Sequence, residues 1–176
     1  MVSEELLQRL KLLDEEAELR FDDDRRFRMI IVGGAALLLL DTISRATRDI
    51  DALDATKEIQ DLLEKYDINM RVTAYMFYFP YNLEDRLVPV QLVTKKIDYY
   101  TASLEDVVVS KLYADRDKDS QDIRSPEVLA AIDWDVLEHL VYDDDEAKAN
   151  AYFEGEYQRL LDNYEEYQRR YRPCGN

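Results

Sequence analysis

Twenty-four residues, Ile30 to Leu53 (IIVGGAALLLLDTISRATRDIDAL), constrain the fold of this chain more than any other stretch. An apolar strand runs into Gly33-Gly34, an apolar helix follows, and after a polar link a second short strand carries Asp49-Ile50-Asp51. Side chains alternate across a strand, so the two carboxylates are expected on one face and Ile50 in the core. Glycine lets a backbone approach a phosphate closely, and carboxylates are hard oxygen ligands suited to Mg2+. Together they can hold a metal-bound triphosphate. Each also has a plain structural reading, a tight strand-to-helix turn and a charged edge strand.

Asp-x-Asp alone says little in a chain with 39 acidic residues. It recurs at Asp22/Asp24, Asp115/Asp117, Asp117/Asp119, Asp133/Asp135 and Asp143/Asp145, in charged stretches or at helix starts. Only Asp49/Asp51 follows a strand–Gly-Gly–helix unit.

Around this unit the periodicity sets out an α+β chain. Leu6, Leu10, Leu13 and Ala17 recur at helical spacing over Ser3 to Leu19. Met29 to Val32 reads as a buried strand, Ala35 to Ser44 as a buried helix, and Thr47 to Leu53 as the second strand. Thr56 to Tyr66 is amphipathic. Arg71 to Phe79 (RVTAYMFYF), rich in β-branched and aromatic residues, reads as a strand, as do Val88 to Val93 and Ile97 to Thr101. Ser103 and Asp106 form a capping-box pattern ahead of VVVSKLYADR, and Asp133 caps a helix from Trp134. A final helix from Asp145 to Tyr171 carries the stripe Phe153, Tyr157, Leu160, Leu161, Tyr164, Tyr167 and Tyr171. That stripe reads first as a core face and second as a face for a partner protein or a homodimer.

Lys111 lies in the apolar helical segment after Ser103, either stretching to solvent or aimed at a phosphate. Asp119 and Asp122, three apart, share a helix face and could fix Lys111 or be solvated.

Composition narrows the classes. At 176 residues and 47% hydrophobic, the chain suits one domain with a small helical appendage. Ala35 to Leu40 is too short to span a bilayer, and the charged amphipathic N-terminus is no secretory signal. The single cysteine, Cys174, rules out an internal disulfide framework, and a cytoplasmic protein is expected. A net charge of −16 disfavours broad binding to nucleic acid or anionic membranes, with Arg45, Arg48, Lys95, Lys96 and Lys111 as candidates for a local basic patch. The sole histidine, His139, reads as a partly exposed helix residue, which argues against serine–histidine or cysteine–histidine catalysis.

The run Gly33-Gly34, helix, Arg45-x-Thr47-x-Asp49-Ile50-Asp51 resembles the DNA polymerase beta-type nucleotidyltransferase superfamily. SLEDVVVSKLYADRDKDSQDI resembles its small bacterial branch, related to abortive-infection and toxin–antitoxin nucleotidyltransferases. The resemblance spans Met29 to Trp134. It implies a small mixed sheet of about four or five strands with helices mainly on one side, plus C-terminal helices. The expected division is a nucleotidyltransferase-like domain over 1–135, including the N-terminal helix, and a helical extension over 136–176. The resemblance further implies Gly33 and Gly34 against the triphosphate, Arg45 and Thr47 flanking the pocket, and Asp49 and Asp51 on Mg2+. Lys111 and Asp122 would complete the site. The implied reaction moves a nucleoside monophosphate from a nucleoside triphosphate to RNA, protein or a small molecule. Two departures stand out. Gly33-Gly34 replaces the Gly-Ser of many active members, and Asp98 is the only obvious third carboxylate. They keep open a non-catalytic, nucleotide-binding or regulatory alternative.

Overall fold

In the computed structural model, which describes residues 2–53 and 55–173, the chain is α+β, with a five-stranded mixed sheet and helices that include the C-terminal region. Cys174 lies outside the described residues. The chain divides into two compact units, Met1–Ala74 with Leu87–Ala102, and Tyr75–Arg86 with Ser103–Asn176. The boundary expected between 135 and 136 falls inside the second unit. Among the described residues no helix is long and apolar enough to cross a membrane.

The first unit holds α1 (Ser3–Arg20), β1 (Phe27–Val32), α2 (Gly33–Leu39), β2 (Ile50–Leu53), α3 (Gln60–Lys65), β3 (Ile68–Asn69), β4 (Val88–Pro89) and β5 (Ile97–Thr101). The strand order is β3-β2-β1-β5-β4. β1 pairs antiparallel with β2 and parallel with β5, β2 pairs parallel with β3, and β4 pairs antiparallel with β5. Register sorts the side chains onto two faces. Met29, Ile31, Ile50, Ala52, Ile97 and Tyr99 share one face and are buried. The Tyr99 hydroxyl on that face donates to the Leu10 carbonyl of α1 at 2.8 Å, and Leu6, Leu10, Leu13 and Ala17 of α1 are fully buried. Val32, Asp51, Asn69 and Asp98 lie on the opposite face.

The same helix reaches the sheet with a charge. Asp14 of α1 is buried, and its carboxylate accepts the backbone N–H groups of Lys95, Lys96 and Ile97, each at 2.8 Å. Three donors at the start of β5, which have no ladder partner there, are satisfied by one side chain.

The second unit holds α4 (Leu104–Ala114), α5 (Asp117–Ile123), α6 (Pro126–Ala131), α7 (Trp134–Tyr142), α8 (Ala147–Asn150) and α9 (Glu154–Tyr171). The Ser103 hydroxyl caps α4, accepting from the Asp106 N–H at 3.1 Å and donating to the Asp106 carboxylate at 2.7 Å. Asp133 caps α7 at its expected start. The C-terminal stripe is largely interior: Leu160, Tyr164 and Tyr167 are buried. Tyr164 meets Tyr142 edge-on at 5.6 Å and Tyr167 lies 5.4 Å from Trp134. Phe153, at the stripe's N-terminal end, is exposed.

Five expectations change. The second strand, expected from Thr47, begins only at Ile50, which leaves Asp49 just outside it. Arg71–Tyr78 is not a strand but two 3-10 turns joined at a kink at Tyr75. Its rings cluster locally: Phe77 and Tyr78 are 4.5 Å apart, and Tyr78 stacks on Tyr113 at 5.5 Å. The Asn150 amide donates to the carbonyls of Met76 and Phe79, so these acceptors are taken by a side chain and not by a ladder. Helix α2 begins at Gly33 and ends early because Asp41 turns left-handed (φ 55°), and the Thr42 N–H closes on the Leu37 carbonyl at 2.9 Å. β4 covers only Val88–Pro89; the Val90 N–H still donates to the Tyr99 carbonyl at 2.9 Å, and the Leu92 N–H then closes on the Val90 carbonyl at 2.8 Å, which turns the chain off the sheet edge. The C-terminal helix is broken between α8 and α9, where Phe153 is extended.

Candidate functional site

The glycine pair forms the turn from β1 into α2. Gly33 has φ +63°, a backbone angle that L side chains rarely adopt, and a Cβ there would sit 3.0 Å from Asp51 Oδ2. A Cβ on Gly34 would sit 3.1 Å from Thr47 Oγ1 and 3.5 Å from Arg45 Nη2. Thus Gly33, Gly34, Arg45, Thr47 and Asp51 come together in the first unit. Two absent side chains leave the carboxylate, the hydroxyl and the guanidinium grouped around bare backbone.

β2 positions the acids. Asp51 pairs across β1 with Val32, beside the glycine turn, and is half-buried. Asp49 immediately precedes β2 and is exposed. On the other flank, Asp51 pairs with Asn69 of β3, whose Nδ2 donates to Asp51 Oδ1 at 2.7 Å. Among the described residues no group of three or more His, Cys, Asp or Glu is gathered to hold a metal ion. Two carboxylates still suit Mg2+, which commonly takes one or two protein carboxylates and completes its shell with water and phosphate oxygens.

Asp98 lies on the same sheet face as Asp51 but at another level. Its register partner is Arg28, four residues from Val32, a step of about 13 Å along the strands. Its carboxylate is forked onto Arg26, accepting from Nε at 3.0 and 3.1 Å. Continuing the β5 register places Ala102 level with Asp51.

Lys111 and Asp122 meet in the second unit. Lys111 Nζ donates to Asp119 Oδ1 at 2.6 Å and to Asp122 Oδ2 at 2.8 Å, and all three side chains are buried. Arg116 Nε reaches the other Asp119 oxygen at 2.5 Å. Lys111 therefore does not stretch to solvent; its two aspartates fix it.

Other candidates have ordinary roles. Lys95 pairs with Glu18 at 2.7 Å, Lys96 Nζ donates to the Asp23 carbonyl, and His139 is exposed on α7 beside Asp143.

The sequence reading missed three residues: Asn69, Arg86 and Glu146. Arg86 Nη2 donates to Asp106 at 2.9 Å and to Glu146 at 3.0 Å, within the second unit. Burial pushes the Asp106 carboxyl above its usual range, and the Arg86 guanidinium opposes that shift. No local pattern marks these pairs, because their partners lie far apart in sequence. Asn69 left a faint signal: a polar residue directly after the buried Ile68, a few residues past the end of α3.

A mixed sheet on which a glycine turn faces an aspartate-bearing strand is the arrangement expected of the nucleotidyltransferase superfamily. Residues 8–172 match the model of a family described as "Nucleotidyltransferase of unknown function (DUF6036)", and the chain belongs to that family. No curated protein and no solved structure matches the chain.

Proposed function

We propose that this family member is a Mg2+-dependent enzyme that moves a nucleoside monophosphate from a nucleoside triphosphate to an acceptor hydroxyl. The observation that carries the reading is the approach of Asp51 Oδ2 to the place a Gly33 side chain would fill. A carboxylate beside stripped backbone gives a phosphate-bound cation one fixed ligand and leaves room for the phosphate itself. Asp49 and Asp51 would hold the metal. When bound, Mg2+ would activate the attacking hydroxyl and offset the charge on the departing pyrophosphate. Gly33 and Gly34 would let the triphosphate lie against the turn, with Arg45 supplying positive charge and Thr47 a hydroxyl donor. Transfer forms a bond from the acceptor oxygen to the α-phosphorus and breaks the bond to the pyrophosphate oxygen. The resemblance implies Lys111 and Asp122 for the same chemistry, and Lys111→Met separates such a role from a structural one. RNA or protein is the proposed acceptor, in a toxin–antitoxin or related bacterial setting.

A second reading, nucleotide binding without transfer, draws on Asp98 being engaged with Arg26 and on Ala102 standing level with Asp51. One experiment separates the two. Purified protein is incubated with Mg2+, each α-labelled nucleoside triphosphate in turn, and cellular RNA or protein extract, beside an Asp49→Ala/Asp51→Ala variant. Label transferred by the wild type and lost in the variant establishes the enzyme and its acceptor class. Nucleotide binding with no transfer selects the second reading.

A further inference from the structure

The strand beside Asp51 carries an amide where a carboxylate would compete for the same ion. Asn69 stands level with Asp51 in the parallel β2–β3 pair and donates from Nδ2 to Asp51 Oδ1 at 2.7 Å. Its other side-chain atom is also committed. Asn69 Oδ1 accepts the backbone N–H of Arg71 at 3.0 Å. Because an N–H can only donate, this second bond settles which end of the amide faces Asp51. A relay follows: Arg71 N–H to Asn69 Oδ1, Asn69 Nδ2–H to Asp51 Oδ1. Asp51 Oδ2 is then the oxygen turned to Gly33.

We infer that Asn69 is a positioning residue that divides the labour of the two Asp51 oxygens, holding Oδ1 so that Oδ2 is presented to the metal and phosphate. The inference rests on the proposed reading of Asp49/Asp51 as a metal site. A hydrogen-bonded carboxylate ligand keeps its orientation, and loss of such a supporting group typically lowers metal affinity about 10–100-fold. The amide also keeps the site's charge down, since a third carboxylate at this distance from Asp51 would repel it.

The test measures Mn2+ affinity directly, by titration of the intact protein with and without a nonhydrolysable nucleoside triphosphate, in the wild type, Asp51→Asn, Asn69→Ala and Asn69→Asp. Asn69→Asp is isosteric and can still accept the Arg71 N–H, but its carboxylate has no proton to donate. A purely structural role at the β3 turn would therefore spare it, and a donor role would not. The expected result is a fall of about tenfold in Mn2+ affinity for both Asn69 variants, with thermal unfolding of Asn69→Asp within a few degrees of wild type. Where label transfer is measurable, the nucleotide KM should rise in both, and supplying excess Mn2+ should restore rate to Asn69→Ala but not to Asp51→Asn. Wild-type or tighter affinity in Asn69→Asp would overturn the inference. Equal Mn2+ affinity in the wild type and Asp51→Asn would instead sink the metal-site reading beneath it.

Discussion

The two units each hold a pair of aspartates that the resemblance singles out or that flank a lysine, and they treat the two pairs in opposite ways. In the first unit Asp49 is exposed, Asp51 is half-buried, and the neighbouring backbone is left bare by two glycines. In the second, Asp119 and Asp122 are closed onto Lys111, with side-chain exposures of 3%, 0% and 6%. An ion cluster that satisfies itself in the interior holds a structure together; removing one partner leaves uncompensated charge in a poor solvent. Asp49 and Asp51 instead lie at or near the surface, Asp51 held by Asn69 and set beside a turn that carries no side chains. Acidic residues are abundant in both units, so their number does not distinguish a site. What differs between the two groups is burial and the bare glycine backbone beside one of them.

The contrast can be broken most directly at Asp51. Asp51→Ala is expected to lower transfer by about a thousandfold, as loss of a main charge-stabilising group in an active site typically does. Thermal unfolding should move by only a few degrees; a collapse of stability would make Asp51 a structural residue. Lys111→Met is the mirror experiment. It leaves Asp119 and Asp122 buried without their lysine and should destabilise the protein by about 3–5 kcal/mol, read by urea unfolding. A stable, inactive Lys111→Met would move Lys111 from the structural to the catalytic side.

Glycines sharpen the same contrast at smaller scale. Gly33→Ala places a Cβ 3.0 Å from Asp51 Oδ2 on a backbone with φ +63° and should cost about 1–2 kcal/mol, with a larger loss of nucleotide affinity. Gly155, near the start of α9, has nothing within 4 Å of its Cβ position, so Gly155→Ala should stabilise by up to about 1 kcal/mol. Denaturant midpoints of the pair give the difference.

The smallest expected effect comes from Tyr164, whose buried hydroxyl finds no hydrogen-bond partner among the described residues. Burial pushes its pKa up to about 12 from the usual value near 10. The folded state therefore holds the proton where the unfolded state releases it. The associated stability is intact below pH 10 and is lost as pH rises from 10 toward 12. Tyr164→Phe should be neutral or stabilising by about 1 kcal/mol at neutral pH. It should also flatten part of the alkaline fall in stability, followed by circular dichroism against pH.

Much of the first unit is legible in the sequence because its signals are local. The Gly-Gly turn, the strand through Ile50 and Asp51 and the limits of β5 all depend on residues within a few positions of one another, as do the caps at Ser103 and Asp133 in the second unit. Arg71–Tyr78 defeats the same reasoning. Aromatic and β-branched residues favour strands only when a pleated neighbour is there to pack against. Here the rings pack on each other, on Tyr113 and on Tyr152, and Asn150 takes two of the carbonyls. The candidate site divides along the same line. The grouping of Gly33 with Asp51 could be expected from topology. Asn69 beside Asp51, Asp98 forked on Arg26 and Arg86 between Asp106 and Glu146 depend on register and long-range packing, which no short window of sequence contains.

The bonds from Asp14 to the start of β5 set an order of events for a chain leaving the ribosome. The carboxylate is made early, and its three N–H partners arrive more than eighty residues later. β1, at the middle of the sheet, likewise waits for its parallel neighbour, and the segment between them departs into the second unit before returning. A nascent chain ending before Ile97 therefore has an amphipathic helix and a central strand with one edge unpaired, and non-local closure of this kind is slow. Until β5 emerges, the apolar face of α1 and the open edge of β1 are what such a chain offers to chaperones.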